Sequence, residues 1–181
     1  MLRRHLTTAA ALCIAAIATV GCEQTISGLG GKPSAQLPIG ESHYFKVVAN
    51  SNQQLVKMSQ LALDRSHNDQ IRQFAQRELD EHNNWQQSLG QLAGSKDAQL
   101  PTSVGNIELG AVNDLASQKD ADFDKAYVQS EIAAHQNAIN NTNAESMNGA
   151  DADVKAYAQK QLVELQKHLA AAKDLPGAPQ Q

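Results

Sequence analysis

"IRQFAQRELDEHNNWQQSL", residues 71–89, decides how this chain folds. Ile71, Ala75, Glu78, His82, Trp85 and Leu89, with Leu92 beyond them, follow one another at intervals of 4, 3, 4, 3, 4 and 3 residues. That rhythm traces one face of an α-helix turned toward a core; a strand would repeat every second residue. Two of the inward slots hold Glu78 and His82. Titratable side chains are rarely buried unless they are paired or hold a ligand. The stretch that sets the fold therefore also marks a candidate site.

The remainder is rich in alanine, leucine and glutamine, has 4% aromatic residues, and lacks alternating β-branched runs, so the whole domain reads as all-α. A first long helix is expected over residues 42–65, with Phe45, Val48, Leu55, Met58 and Ala62 inward. A second opens on Asn68 as N-cap, with Asp69 in its first turn, and runs to about residue 93. "GSKDAQLPTS", residues 94–103, breaks it, and a shorter helix over residues 106–117 fills the crossover. The third long helix starts in the cluster Asp120, Asp122, Asp124, where carboxylates favour a helix N-terminus, and runs to residue 147. Val128, Ile132, His135 and Ile139 are its inward positions, with Glu131 at the edge of the stripe. Asp151 or Asp153 opens the fourth, which reaches residue 173 with Val154, Ala158, Leu162, Leu165, Leu169 and Ala172 inward, His168 beside them and Glu164 nearer the edge. Two helical hairpins joined by a long crossover are the layout of a ferritin-like four-helix bundle, here with a short extra helix between helices 2 and 3.

The ends of the chain read differently. Arg3 and Arg4 precede an apolar, alanine-rich stretch over residues 6–20 that is too short for a comfortable membrane span, the pattern of a secretion signal. It closes on Thr19-Val20-Gly21-Cys22, which is similar to the cleavage box of bacterial lipoproteins. Residues 1–21 are thus expected to leave as a lipoprotein-type signal peptide, and Cys22 to become the lipid-modified first residue. Thr19 stands where such boxes usually hold leucine, and ordinary secretion is the alternative. Glu23, rather than an aspartate, follows the cysteine, which favours the outer over the inner membrane. Residues 22–41 are rich in Gly, Ser and Pro and read as a flexible tether, spanning about 24 Å as a coil. Residues 42–175 form the bundle domain, and residues 176–181 a disordered tail. With Cys13 lost and Cys22 acylated, no disulfide is available to the mature chain, so packing alone holds the fold. Loss of Arg3 and Arg4 lowers Lys+Arg from 15 to 13 against 19 acids, a net charge of −6, and no basic patch favours nucleic acid as a partner.

"ELDEH" (Glu78 to His82), "EIAAH" (Glu131 to His135) and "ELQKH" (Glu164 to His168) share the pattern Glu-x-x-x-His. Residues four apart stack on one helix face, so each pair can close on one metal ion or on itself through a hydrogen bond. At 1.5 Å per residue, Glu78 and Glu131 both lie roughly 15 Å along parallel helices, and the returning fourth helix brings His168 to roughly 14 Å. Three helices therefore deliver polar groups to one layer. The first helix offers Asn52, Gln53, Gln54 and Leu55 at that height and has no acid between Glu41 and Asp64. A di-iron carboxylate bundle needs a Glu from each of two helices and Glu-x-x-His from the other two. One carboxylate donor is missing here and the spacing differs, which disfavours ferroxidase-like chemistry.

The segments "IRQFAQRELDEHNNWQQSL", Leu100-Pro101, "FDKAYVQSEIAAHQNAI" and "LVELQKHL" resemble a large bacterial envelope family, domain of unknown function 4142, described as ferritin-like. The resemblance covers about residues 45–173. Members typically carry Asp-His where this chain has Glu81-His82 and Ala134-His135, and often a glutamate near the position of Leu55. The resemblance implies the bundle and an envelope location, and implies no activity.

The reading is an envelope-anchored binding or interaction module rather than an enzyme, tied to the membrane through Cys22, whose Glu/His layer is hydrogen-bonded and fixes helix register. The alternative is a metal-binding or metal-dependent redox protein using Glu78, His82, Glu131 and His135, with His168 and Glu164 as outer candidates. Imidazole and carboxylate together suit zinc, copper or nickel better than magnesium.

Overall fold

The computed structural model describes residues 37–179. The signal segment, Cys22 and most of the tether lie outside the described residues. Within them the elements are α1 (Ile39–Arg65), α2 (Asp69–Ser95), α3 (Asn106–Ala116), α4 (Asp120–Asn148) and α5 (Ala152–Lys173). The four long helices pack around one axis and α3 lies in the crossover between α2 and α4. No described helix is long and apolar enough to cross a membrane.

The helix starts follow from their caps. Asn68 accepts hydrogen bonds from the main-chain N–H groups of Gln70 and Ile71, and Asp151 does the same for Asp153 and Val154. α1 begins at Ile39, one turn earlier than the sequence pattern predicts, directly after Pro38. The extra turn has a purpose in packing. It carries Glu41, which is buried and accepts hydrogen bonds from the N–H groups of Ala150 at 2.8 Å and Asp151 at 2.6 Å in the α4–α5 turn.

Contacts at the helix ends fix the topology. Arg65 at the end of α1 reaches the carbonyls of Ala116 and Gln118 and the carboxylate of Asp120 at 2.8 Å, so the end of α1 meets the start of α4. Lys96 after α2 bridges Asp151 and Asp153 at 2.7 Å each, so the end of α2 meets the start of α5. α1 therefore runs antiparallel to α2 and α4, and α2 antiparallel to α5. The order around the bundle is α1, α2, α5, α4.

The core is not continuous. One apolar cluster gathers Leu55, Met58, Ala62, Ile71, Phe74, Phe123, Tyr127 and Val128 with α3 residues Val112 and Leu115. A second, toward the other end, gathers Tyr44, Phe45, Val48, Leu89, Ala93, Val154 and Ala158. Each large aliphatic or aromatic side chain fully buried in these clusters stabilises the fold by about 1.5–3 kcal/mol. On α1, α2 and α5 the buried polar residues Asn52, Glu78, His82 and His168 lie between the two clusters in sequence, and α4 adds buried Glu131 and His135.

Two buried faces differ from those read off the periodicity. On α4 the buried residues are Phe123, Tyr127, Val128, Glu131, Ala134, His135, Ala138, Thr142 and Ser146, while Ile132 and Ile139 sit at the flank. Glu131 is therefore buried and not at the edge. On α5 the inner slots hold Gln161, Leu165 and His168, and Leu162 and Leu169 are only half-buried. Small residues (Ala134, Ala138, Ala158) line the α4 and α5 faces turned inward, and β-branched or larger residues pack at the shoulders, where there is room for them.

Candidate metal centre

Glu78 stands at the middle of the polar layer. His82 is one turn later on α2, His135 comes from α4 and His168 from α5. One donor atom from each of these four residues lies within 4.8 Å of every other. Nε2 of His82 is 3.2 Å, and Nε2 of His135 3.1 Å, from Oε2 of Glu78. Nδ1 of His168 is 3.0 Å from the same carboxylate. The three imidazole rings form a nearly equilateral triangle, with centroids 5.6, 5.6 and 5.5 Å apart. Glu78, His82 and His135 are fully buried and His168 is 5% exposed.

The outer nitrogens of the rings are occupied. Nδ1 of His135 donates to the main-chain carbonyl of Glu131 at 2.9 Å. A carbonyl only accepts, so Nδ1 of His135 carries a proton and Nε2 is the nitrogen that faces Glu78. His82 repeats the arrangement, with Nδ1 3.1 Å from the amide oxygen of Asn52 on α1. Nε2 of both rings therefore faces Glu78, whose Oε1 also lies 3.0 Å from Nδ1 of His168. Nε2 of His168 lies 2.6 Å from a carboxylate oxygen of Glu81. Trp85 stacks on His168 at 4.9 Å and meets His82 edge-on at 4.4 Å.

Electrostatics follow from burial and from these partners. Burial alone would raise the Glu78 carboxyl, but the ring nitrogens of His135, His168 and His82 against it hold it well below the ordinary range, so it is ionised. Burial pushes the His82 ring down to about 4, despite Glu78, so the ring is neutral. Burial also opposes charge on His168, but the hydrogen bonds to Glu78 and Glu81 prevail and raise it. The Glu131 carboxyl is raised well above its ordinary value by burial and by the Glu78 charge, with Tyr127 beside it. It is a neutral acid next to an anionic one.

The arrangement brings together Glu78, His82, His135 and His168. Glu131 is adjacent to them but outside the four: its carboxylate is 3.4 Å from Nδ1 of His135, on the side of the ring away from Glu78. Glu164 is elsewhere; it is partly exposed and paired with Lys167 at 3.0 Å. Of the three Glu-x-x-x-His pairs, Glu78–His82 and Glu131–His135 meet within 3.4 Å, and Glu164–His168 does not, because α5 presents His168 inward and turns Glu164 outward. Three residues that contact the rings are named in the sequence but not as their partners. Asn52 had a signal, since it falls between Val48 and Leu55 in the inward rhythm of α1. Glu81 sits on the outer shoulder of α2, and only the family's Asp-His pattern at that position singled it out. Trp85 reads as packing, and it does pack, against the two imidazoles.

A neutral imidazole lone pair aimed at a carboxylate is repulsive without a cation between them, and attractive with one. Three imidazole nitrogens and one carboxylate, each ring oriented by a hydrogen bond on its far nitrogen, form a set that can hold a metal ion. The fold and this set define an all-helical bundle with a buried Glu/His₃ group between two apolar cores. The model of the domain of unknown function DUF4142 matches residues 30–175, and the chain belongs to that family. No curated protein matches the chain. A solved structure, a DUF305 fragment from Deinococcus radiodurans, is similar in fold, with a TM-score of 0.67 and 13% identity over 76% of this chain and 95% of that one.

Proposed function

We propose that this protein is a metal-binding bundle in which Glu78, His82, His135 and His168 take one transition metal ion, with Asn52, Glu81 and the Glu131 main chain orienting the rings. The convergence of four buried donor atoms carries this reading: one from each of Glu78, His82, His135 and His168 lies within 4.8 Å of every other, and Nδ1 of His135 is committed to a main-chain carbonyl at 2.9 Å so that Nε2 faces Glu78. A hydrogen-bonded layer, the reading favoured by the sequence alone, differs from it in having N–H groups rather than an ion facing Glu78. The donor set suits zinc, copper or nickel, whose affinities for imidazole exceed those of magnesium or calcium. A lone carboxylate among three imidazoles does not resemble the carboxylate-rich set of di-iron bundles, so the role that fits is binding, storage or delivery of the ion.

Elemental analysis of untagged mature protein, followed by titration of the metal-free form with zinc, copper and nickel, tests the reading. One ion per chain, lost in His135→Ala and His82→Ala, supports it. Failure of all three metals to bind the folded wild-type protein would overturn it, leaving a layer that serves packing only.

We further propose that the bundle faces the periplasm on a lipid anchor at Cys22, at the outer membrane. The support is the sequence of the signal and cleavage box. Cys22→Ser should move the protein from membrane to soluble fractions, and unchanged membrane association would refute the anchor.

A further inference from the structure

An ion held by groups this deeply buried needs a way in. Around the centre, Glu78, His82, His135 and Glu131 are sealed from solvent. Glu81 is different. One of its carboxylate oxygens lies 2.6 Å from Nε2 of His168, while the Glu81 side chain is 39% exposed. The His168 ring spans the distance inward from there, with its other nitrogen 3.0 Å from Glu78. Solvent, Glu81, His168 and Glu78 form an unbroken polar series across the α2–α5 seam.

A second approach exists between α1 and α2. A groove of about 240 Å³ lined by Asn52, Gln53, Lys57, Gln60, Asn83 and Gln86 leads to the amide that holds His82. It contains no carboxylate to replace the water a cation sheds, and Lys57 repels one. Hydrated divalent ions lose their shells stepwise to oxygen and nitrogen ligands, and an exposed carboxylate beside a ligand histidine is the first such partner the surface offers.

We propose that the Glu81–His168 pair is the gate through which the ion loads and leaves. This rests on the metal-site reading above. The cation docks on the Glu81 carboxylate at the surface and is passed to His168 and then Glu78, replacing the ring's bridge between the two carboxylates. Trp85, stacked on His168 with an interplanar angle of 19°, keeps an apolar wall against the ring as it shifts. Glu81 then serves as a positioning residue in the loaded state, accepting from His168, and as a transient ligand during loading.

Stopped-flow loading of the metal-free protein with zinc, together with chelator-driven release, distinguishes the two roles. In Glu81→Gln, whose amide oxygen still accepts from Nε2 of His168 and so keeps the ring oriented, loading and release should both slow by about tenfold or more, the scale of electrostatic steering, while the equilibrium Kd shifts less than threefold. Glu81→Asp should restore most of both rates. Gln60→Glu, which adds a carboxylate to the α1–α2 groove, should leave loading unchanged. A Glu81→Gln variant that loads at the wild-type rate but has Kd raised about 10–100-fold through faster release overturns the gate and leaves an orienting role only. Faster loading in Gln60→Glu overturns it too, in favour of the groove. Absence of zinc binding by wild-type protein is a separate failure, of the metal site itself.

Discussion

Nδ1 of His135 lies 2.9 Å from the main-chain oxygen of Glu131, one turn earlier on the same helix. This bond ties ring orientation to the backbone, so no side-chain rearrangement of Glu131 can reverse it. The ring's free nitrogen faces Glu78 whatever the neighbouring carboxyl does. The centre thereby holds one ring nitrogen against Glu78 in a fixed orientation.

Glu78→Gln separates binding from folding. The glutamine oxygen can accept from His168, and its amide can donate to the lone pairs of His82 and His135, satisfying the layer that an anion leaves opposed. Metal-free Glu78→Gln should therefore melt at or above the wild-type temperature, with a gain of about 1 kcal/mol, the usual worth of one added hydrogen bond. Its zinc binding should be lost. Calorimetric melting with and without metal checks both; strong destabilisation of the metal-free variant would show that Glu78 is satisfied by protonated histidines.

Asn52 fixes His82 from α1, at 3.1 Å. Asn52→Ala removes that acceptor without touching a ligand, and should weaken metal affinity about 10–100-fold while the helical content stays intact. Competition titration against a chelator of known affinity reads the change. Unaltered affinity would mean that Asn52 does not orient the ring.

The pH dependence of the metal-free protein has a definite sign. His82 is neutral in the fold because burial lowers it to about 4 from its ordinary 6.5. The unfolded chain takes up that proton near pH 6.5 and the folded one does not, so the contribution is full above pH 6.5 and is lost as pH falls toward about 4. The loss is about 3 kcal/mol at most for a shift of this size. His168, raised by Glu78 and Glu81, acts in the opposite sense: its contribution is present below its ordinary value and fades as pH rises through the folded one. Denaturant unfolding of wild type and His82→Gln at neutral pH and at about pH 5 isolates the first effect. The wild-type protein should lose more stability on acidification than the variant, and equal losses would contradict a buried neutral ring.

The chain has a single tryptophan, Trp85, packed on two of the proposed ligands. Copper(II) bound at the centre should quench its emission in proportion to loading and reach an end point at one equivalent. His135→Ala, whose ring does not stack on Trp85, should abolish the quenching without altering the emission of the metal-free protein. Quenching that persists in this variant would place copper elsewhere.

Much of the architecture was legible in the sequence, because helix starts and stops are local. Asn68, Asp151 and the acids before Phe123 announced their helices within a residue or two, and the long crossover implied the order of packing. The slots of Glu78 and His82 were legible for the same reason. Rotation of α4 and α5 was not. Ile132, Ile139, Leu162 and Leu169 outweigh Ala138 and Gln161 in any reading of apolarity, yet close approach of two helices favours small residues at their contact and moves large ones to the shoulders. That rotation of about one residue buried Glu131 and His168 and left Glu164 outside. The partners of the rings were harder still, since Glu81 meets His168 across 87 residues of sequence and no local pattern encodes it.

The two apolar clusters give the centre a mechanical meaning. Each cluster holds its own end of the bundle, and the layer that joins them is polar, three imidazoles around the buried Glu78 carboxyl. Such a layer is a weak plane, where the ends can open separately and on different timescales. An ion binding three helices there at once would splice the halves, so that amides at both ends exchange with solvent through a single global opening.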